Sequence, residues 1–493
     1  MRSFFNEGYF SDLLPFLILG GGGVLVLTLD ALWPRRRSFD ATVLGVPLVL
    51  AAVAALIAQW SRPQTPGPLG GMYIADSFGA FIGITVSISL GLTFLISRHY
   101  LKQMGRCRAE YFALLLLCAS GMILFASSTE LLSLFLGLEL LSFPVYILSG
   151  YFRDDAKSNE AGMKYFLLGA FSSAVFLFGV ALIYGATGQT DLAAAVAAPS
   201  PMPVLRVAGA VIVLSGLLFK IASVPFHMWA PDVYEGAPTS VTAFMATAVK
   251  TAAFGALIRV LLAALPTLSV IPIQTLFWWL AVLSMTVGNL AALTQSNVKR
   301  MLAYSSIAHA GYILVGVTAI TASGSKAPVA AILYYLLAYT FMNLCAFSVL
   351  VALTGKGRER LEVGEMGGLG WKHPGLGLAM SLSMVGLAGI PPTAGFFGKY
   401  YIFQGALEAG LVGLVVIGVL NSALSVYYYL RILVAFYMKP AAEDVPTSRS
   451  AGVGFAVALT SIAILWIAVG PDGILPGFPR LLGWVRDSFA SLP

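Results

Sequence analysis

Fourteen runs of about 20 apolar residues, separated by proline, glycine and charged punctuation, occupy most of this 493-residue chain. Each is long enough to cross a hydrocarbon core of about 30 Å as an α-helix. Within such a core only helices and closed barrels satisfy every backbone N–H and C=O. The runs lie near 13–32, 42–60, 76–97, 110–127, 129–151, 160–186, 204–228, 238–263, 273–293, 299–320, 327–354, 374–408, 410–437 and 451–470. The expected fold is an all-α membrane protein of about 14 transmembrane helices. Composition agrees, since 58% of residues are hydrophobic and only 10% charged, against roughly 45–50% apolar in a soluble domain.

The net charge of +7, from 29 Lys+Arg against 22 Asp+Glu, excludes nothing alone, but its distribution is informative. No basic, aromatic-studded groove marks a nucleic-acid partner. If the first helix starts outside, the inner loops hold Arg35, Arg36, Arg37, Arg98, Lys102, Arg106, Arg108, Arg153, Lys157, Lys299, Arg300, Lys356, Arg358, Arg360, Lys372, Lys439 and Arg449. The outer side keeps Arg2, Arg62, Arg206, Lys326, Arg480 and Arg486. The positive-inside rule then puts both termini outside. The first run passes into Arg35–Arg37 without a small-residue cleavage site, so it reads as a retained helix, not a signal peptide.

Cys107, Cys118 and Cys345 show no C-x-x-C spacing, and an iron–sulfur cluster is typically held by four thiolates, so no redox centre is expected in this chain. The glycines from Gly364 to Gly370 precede Lys372 without the order of a phosphate-cradling loop and read as a flexible loop. No Ser-His-Asp or Cys-His arrangement suggests covalent catalysis.

Two spans break the helical rule. Pro225 interrupts the seventh, with Pro231 close behind, and Gly389, Pro391, Pro392 and Gly395 fall within the twelfth. Both are expected to be discontinuous. Backbone freed at membrane depth is tolerated where protein or a water-filled cavity satisfies it, and a pair of broken helices in two halves points to an inverted-repeat transporter. A simple proline kink is the plainer alternative at each.

Ionisable groups inside spans are costly and usually functional. Glu139 lies about ten residues from either end of the fifth span. Lys220 precedes the Pro225 break, Lys250 sits near the middle of the eighth span between Thr247 and Thr251, and Lys399 follows Pro391-Pro392, mirroring Lys220 in the second half of the chain. Lys164 is nearer its helix start and could simply snorkel to the inner surface. His309 shares a polar stripe with Ser305, Ser306 and Tyr312, which suits either a satisfied core histidine or a proton relay. His227, Asp232 and Glu235 gather at the inner end of the seventh span, without a second histidine at metal-ligand spacing. Buried lysines with one central carboxylate suit protons, because burial makes an ammonium easier to discharge and an approaching carboxylate restores its charge.

Four stretches carry a family resemblance: LELLSFPVYILSGY (Leu138–Tyr151), LFKIASVPFHMWAPDVYEGAPTSVTAFMATAVK (Leu218–Lys250), NVKRMLAYSSIAHAGY (Asn297–Tyr312) and LAGIPPTAGFFGKYYIF (Leu387–Phe403). They resemble the antiporter-like proton-channel subunits of NADH:quinone oxidoreductase, respiratory complex I, and within them the subunit N branch. The fifth-helix text is of N type, Lys399 stands where M-like chains carry glutamate, and the chain stops about twenty residues after its last span instead of continuing into the lateral helix of subunit L. The L and M paralogues and Mrp-type cation/proton antiporters share the fold and remain the alternatives.

The resemblance implies two inverted five-helix repeats, helices 4–8 (110–263) and 9–13 (264–437), with helices 7 and 12 discontinuous. They follow a three-helix segment (1–109) and precede a last helix and tail (438–493), whose contacts it leaves unplaced. It implies a proton-translocating subunit in a bacterial cytoplasmic membrane beside K-like and M-like neighbours, with FMN, iron–sulfur clusters and quinone in partner subunits. Glu139 and Lys220 correspond to the family's helix-five carboxylate and helix-seven lysine. Lys250, His309 and Lys399 correspond to its central and exit-side relay, and Lys164 to its helix-six lysine.

Overall fold

The computed structural model describes residues 7–32, 40–60, 71–268, 271–355, 357–440, 450–469, 481–489 and 492. The loop arginines Arg2, Arg35, Arg36, Arg37, Arg62, Arg449 and Arg480, with Lys356, lie outside the described residues. In chain order the helices are α1 (Glu7–Leu32), α2 (Thr42–Trp60), α3 (Ser77–Gln103), α4 (Ala109–Ser127), α5 (Leu131–Ser149), α6 (Ala156–Thr187), α7 (Leu192–Ala197), α8 (Pro203–Lys220), α9 (Ala230–Gly236), α10 (Thr239–Phe244), α11 (Lys250–Leu268), α12 (Ile273–Leu293), α13 (Val298–Ser323), α14 (Ala327–Ala352), α15 (Leu369–Lys372), α16 (Pro374–Ala388), α17 (Ala394–Glu408), α18 (Val412–Met438), α19 (Ala451–Val469) and α20 (Leu481–Phe489).

Thirteen of these, counting α10 and α11 as one continuous helix, are long and apolar enough to cross a membrane. The fourteenth expected span is the pair α16 and α17, 15 residues each and too short to cross singly at about 1.5 Å per residue. Burial sorts the spans into layers that hydropathy alone does not separate. The α10–α11 helix and α14 are 100% and 94% buried over their most apolar stretch, while α1, α2 and α6 bury only 33% and face outward.

Close packing depends on small residues, as is usual where lipid removes the hydrophobic drive between helices. A Cβ at Gly121 of α4 would lie 2.4 Å from the Leu141 amide of α5. The α12–α13 pair repeats the device, with Gly311 facing the Met285 amide at 2.5 Å.

Both expected discontinuities are present, each with its own local cause. The seventh run ends at Lys220, earlier than its apolar pattern suggests, because Ala222 takes a left-handed φ of 55°. The Ser223 amide then donates to Leu218 O and the Ala222 amide to Phe219 O, the Schellman closure that satisfies a helix C-terminus. The twelfth run closes the same way at Gly389, where φ is 82°, with the Ile390 amide donating to Val385 O and the Gly389 amide to Gly386 O. Glycine takes that conformation readily, whereas the alanine is strained there.

Within the eighth span Met245–Val249 form one π-helical turn immediately before Lys250. Such turns frequently mark functional positions. The tail has a definite seat: the Ser77 hydroxyl at the start of α3 donates to Ser488 O at 2.9 Å, and Lys326 beside α14 donates to Leu492 O at 2.5 Å. Helix α20 thus ties the amino-terminal helices to the second half of the chain.

Candidate functional site

Helices α8, α11, α13 and α17 supply the interior array of Lys220, Lys250, His309 and Lys399, all no more than 4% exposed. Each ammonium faces a phenol ring. Lys220 Nζ lies 5.2 Å from the Tyr146 ring centre and 5.3 Å from that of Tyr165, Lys250 lies 5.9 Å from Tyr339, and Lys399 lies 4.7 Å from Tyr312. Cation–π attraction is worth most where water is excluded. None of the three is ion-paired within 4.0 Å among the described residues.

Their hydrogen bonding differs. Among the described residues Lys220 Nζ has no hydrogen-bond partner, and neither has the buried Oε1 of Glu139, although the two charges interact across the gap between them. Glu139 is only half-buried, on the stripe of α5 that also presents the exposed Leu136 and Phe143. Lys250 donates to both the carbonyl and the hydroxyl of Ser306, each at 2.5 Å. Lys399 reaches back across the α16–α17 break and donates to Leu387 O at 3.1 Å, Ala388 O at 2.9 Å and Ser422 Oγ at 2.9 Å. The lysine thereby caps the negative end of α16. The two broken helices are therefore not lysine-for-lysine mirrors: Lys220 ends the half-helix before its break, whereas Lys399 lies on the half-helix after its own.

His309 lies between these lysines and within electrostatic range of both Lys250 and Lys399. Its Nδ1 bonds the Tyr335 hydroxyl at 2.5 Å and its Nε2 the Tyr429 hydroxyl at 2.9 Å, and Tyr429 bonds Ser305. A neutral imidazole has one donor and one acceptor nitrogen, so a proton accepted on one side can leave from the other. Beyond the imidazole, the Tyr312 hydroxyl accepts from Asn289, which also accepts from Tyr428 and donates to Asn421. Between Lys220 and Lys250 the connection is aromatic: Tyr165 stacks on Trp229 at 4.4 Å, Trp229 meets Tyr234 at 6.2 Å, and the Tyr234 hydroxyl interacts with Ser306.

The sequence pattern of the NADH:quinone oxidoreductase/Mrp antiporter transmembrane family matches residues 128–425, the stretch that contains this whole array. The chain belongs to that family. NADH-quinone oxidoreductase subunit N of Trichlorobacter lovleyi is 44% identical over 94% of this chain and 95% of its own length, and that of Myxococcus xanthus is 41% identical over 97% of each. Among solved structures, a chain of respiratory complex I from Thermus thermophilus, with bound aureothin, superposes with a TM-score of 0.79 at 36% identity, covering 94% of this chain and 98% of that one.

Against this subunit N background, Lys220, Lys250, His309 and Lys399 come together in the interior, and Glu139 borders them. Lys164 lies apart. Its side chain is 41% exposed and bonds Glu160 at 2.5 Å and Asp232 at 2.6 Å. Arg300 joins Asp232 to Glu235 at 2.7 and 2.9 Å, and Lys157 closes the set on Glu235 at 2.8 Å. Burial pushes the Asp232 and Glu235 carboxyls up, but the hydrogen bonds from Lys164, Arg300 and Lys157 outweigh it and hold both below their ordinary values.

Several polar partners carry no signal in the sequence. Tyr335, Tyr429 and Asn289 read as ordinary helix residues until tertiary packing sets them around His309 and Tyr312, whereas Ser306 stood out in the polar stripe of His309 but not as the partner of Lys250. Arg259 was legible only as a cation within a span. It grips Asp76, the N-cap of α3, through both terminal nitrogens at 2.9 Å and donates to Ala126 O at 2.8 Å, wholly inside the protein. Lys299 and Glu359 form a second anchor, with Glu359 also accepting from Tyr100 and Thr239 at 2.5 Å. Among the described residues no three His, Cys, Asp or Glu side chains converge to hold a metal ion.

Proposed function

We propose that this chain is a proton-translocating membrane-arm subunit of an NADH:quinone oxidoreductase, in which redox chemistry elsewhere in the assembly drives proton transfer through Glu139, Lys220, Lys250, His309 and Lys399. The observation that carries this is the hydrogen-bonded file of Ser305, Tyr429, His309 and Tyr335 lying between two buried lysines that lack a carboxylate partner. A structural lysine is normally paired when buried. These lysines are held by neutral oxygens and phenol faces, which leaves their charge free to change.

In this reading Glu139 loads Lys220, Lys250 passes charge across the boundary between the two repeats (110–263 and 264–437), and Lys399 is the exit-side group. Lys164 belongs to the uptake side with Asp232, Glu235 and His227. The segment 1–109 and the end piece 438–493 frame the repeats. FMN, iron–sulfur clusters and the quinone belong to partner subunits, K-like and M-like chains are the membrane neighbours, and the membrane is the bacterial cytoplasmic one with both termini outside. The runner-up, a cation/proton antiporter, draws on the shared family. The two separate on purification: the chain alone in vesicles exchanges no cation for protons, and the intact complex builds a pH gradient during NADH oxidation. Exchange by the isolated chain overturns the proposal in favour of the antiporter.

A further inference from the structure

No hydrogen-bonded chain joins Lys220 to Lys250 among the described residues: Lys220 Nζ and the Tyr165 hydroxyl have no partner, and the contacts between them and Tyr234 are ring against ring. Lys250 therefore needs another source for a proton, and α3, which packs along α10 and α11, offers one. Tyr100, Ser97, Thr93 and Ser89 recur every three or four residues of α3, so they lie on one face, and all four are buried. That face meets the hydroxyls of α10 and of the π-helical turn. Tyr111 of α4 joins Ser97 at 3.2 Å to Ser240 at 2.8 Å, and Ser89 bonds Thr247 at 2.6 Å, three residues before Lys250. At the other end Tyr100 and Thr239 both donate to Glu359 Oε1 at 2.5 Å, and Tyr111 lies within electrostatic range of Tyr100. Glu359 is 17% exposed, and its loop is fastened to the end of α3 by the Gly357 amide on Gln103 O at 3.2 Å. The file thus begins at a carboxylate that reaches water and ends one turn from Lys250.

Hydroxyl pairs between membrane helices also serve simply to hold the helices together. Two members of this file hold nothing. Thr93 Oγ1 lies between the Ser97 and Ser89 pairs, and Thr251 Oγ1 lies one turn beyond Thr247 and beside Lys250. Both are buried without a hydrogen-bond partner among the described residues. An unpartnered buried hydroxyl is costly as packing, whereas hydroxyls one turn apart, about 5.4 Å along a helix, are spaced for one bridging water at two ordinary hydrogen bonds.

We propose that Lys250 draws its proton from the inner surface through Glu359 and the hydroxyl file of α3, while Lys220 acts on it by charge alone. This rests on the function proposed above, with Lys250 as the central carrier and the Glu359 end as the inner one. Glu359 takes a proton from water and gives it to the first hydroxyl, which leaves the carboxylate as it was. Each hydroxyl, or a water between two of them, accepts one proton and passes its own onward. The last gives its proton to the neutral amine of Lys250, and the O–H bonds then turn back.

The test follows the pH gradient and NADH oxidation by the intact complex in vesicles, with thermal unfolding measured beside them. Thr93→Val keeps the shape and removes a hydroxyl that bonds nothing among the described residues. It should leave the unfolding temperature unchanged and slow gradient formation by about tenfold, and Thr93→Ser should restore the rate. Ser97→Ala serves in its place should the valine variant not assemble. Glu359→Gln keeps an acceptor for Tyr100 and Thr239 but has no proton to pass on, and should be equally slow. A native rate in Thr93→Val or in Glu359→Gln overturns the proposal. So does a slowing that tracks a lower unfolding temperature and that serine fails to reverse, which marks helix packing. Failure of the wider function is separate, since it shows as a normal gradient in Lys250→Met. With Lys250→Met inactive and Thr93→Val native, only the source of the proton is wrong.

Discussion

The ammonium of Lys250 donates to the carbonyl and the hydroxyl of Ser306 at 2.5 Å each, and this double bond joins the helix after the π-helical turn to the helix that carries His309. Neither acceptor is charged, so the bonds orient the lysine without fixing its proton. Lys250→Met keeps the length of the side chain and removes the titrating amine. The variant complex should assemble and oxidise NADH while building no pH gradient in vesicles. Ser306→Ala removes one of the two acceptors and leaves the carbonyl, so it should slow pumping less than Lys250→Met does. A normal gradient in Lys250→Met vesicles would reduce Lys250 to a packing residue.

The spans, the two breaks and the deep titratable groups were legible because membrane burial makes each stand out: apolar runs of fixed length, prolines inside them and charges without a route to water. Lys220 and Lys250 needed only their distance from the ends of their apolar runs. What the sequence hides is tertiary. Nothing in the spacing tells that Tyr335 of α14 and Tyr429 of α18 meet on opposite nitrogens of His309, because α14 is buried almost throughout and its polar side chains, Tyr334, Tyr335, Tyr339, Thr340 and Asn343, mark no single face. The early stop at Lys220 was hidden for a different reason. Ala222, a good helix former, takes a left-handed conformation that only the surrounding packing can impose.

Arg259 and Asp76 make the sharpest stability prediction. Both are buried, and the bidentate geometry leaves each dependent on the other. Arg259→Ala strands a carboxylate inside the bundle, and breaking such a pair costs about 3–5 kcal/mol. Thermal unfolding of the solubilised complex should therefore start much earlier, with loss of subunit assembly. Arg259→Met combined with Asp76→Leu removes both charges and should recover most of that loss, less about 1 kcal/mol for the missing N-cap of α3. If the double variant is no better than Arg259→Ala, the pair has a role beyond holding α3 against α11.

Asp232 and Glu235 fix the pH behaviour of the surface network. Their folded values lie below the ordinary 3.8 and 4.5, so the stabilisation they give is complete above the unfolded carboxylate values and lost as pH falls through the folded ones. The network is then constant near neutrality, and a change of pumping rate between about pH 6 and 8 has to come from other groups. Asp232→Asn should lower the unfolding temperature at neutral pH, and the difference from wild type should shrink below about pH 4. A gap that persists undiminished at about pH 3 would show that the carboxylate's charge is not what stabilises Lys164 and Arg300.

Lys220 offers the cleanest separation of charge from proton release. Its ammonium has no hydrogen-bond partner among the described residues, lies between the Tyr146 and Tyr165 rings, and feels Glu139 without touching it. An arginine there keeps the positive charge and the attraction to both rings, so Lys220→Arg should fold and assemble. A guanidinium, however, stays protonated at any working pH, with a pKa above about 12, so it cannot hand a proton on. Lys220→Arg should therefore lose most coupled pumping, nearly as much as Lys220→Ala, although it conserves charge. Glu139→Gln should act from the other side, because it removes the carboxylate proposed to load the lysine while preserving its shape. Measured in vesicles with the gradient and NADH oxidation followed together, near wild-type pumping by Lys220→Arg would mean that Lys220 contributes a fixed charge and that protons pass elsewhere.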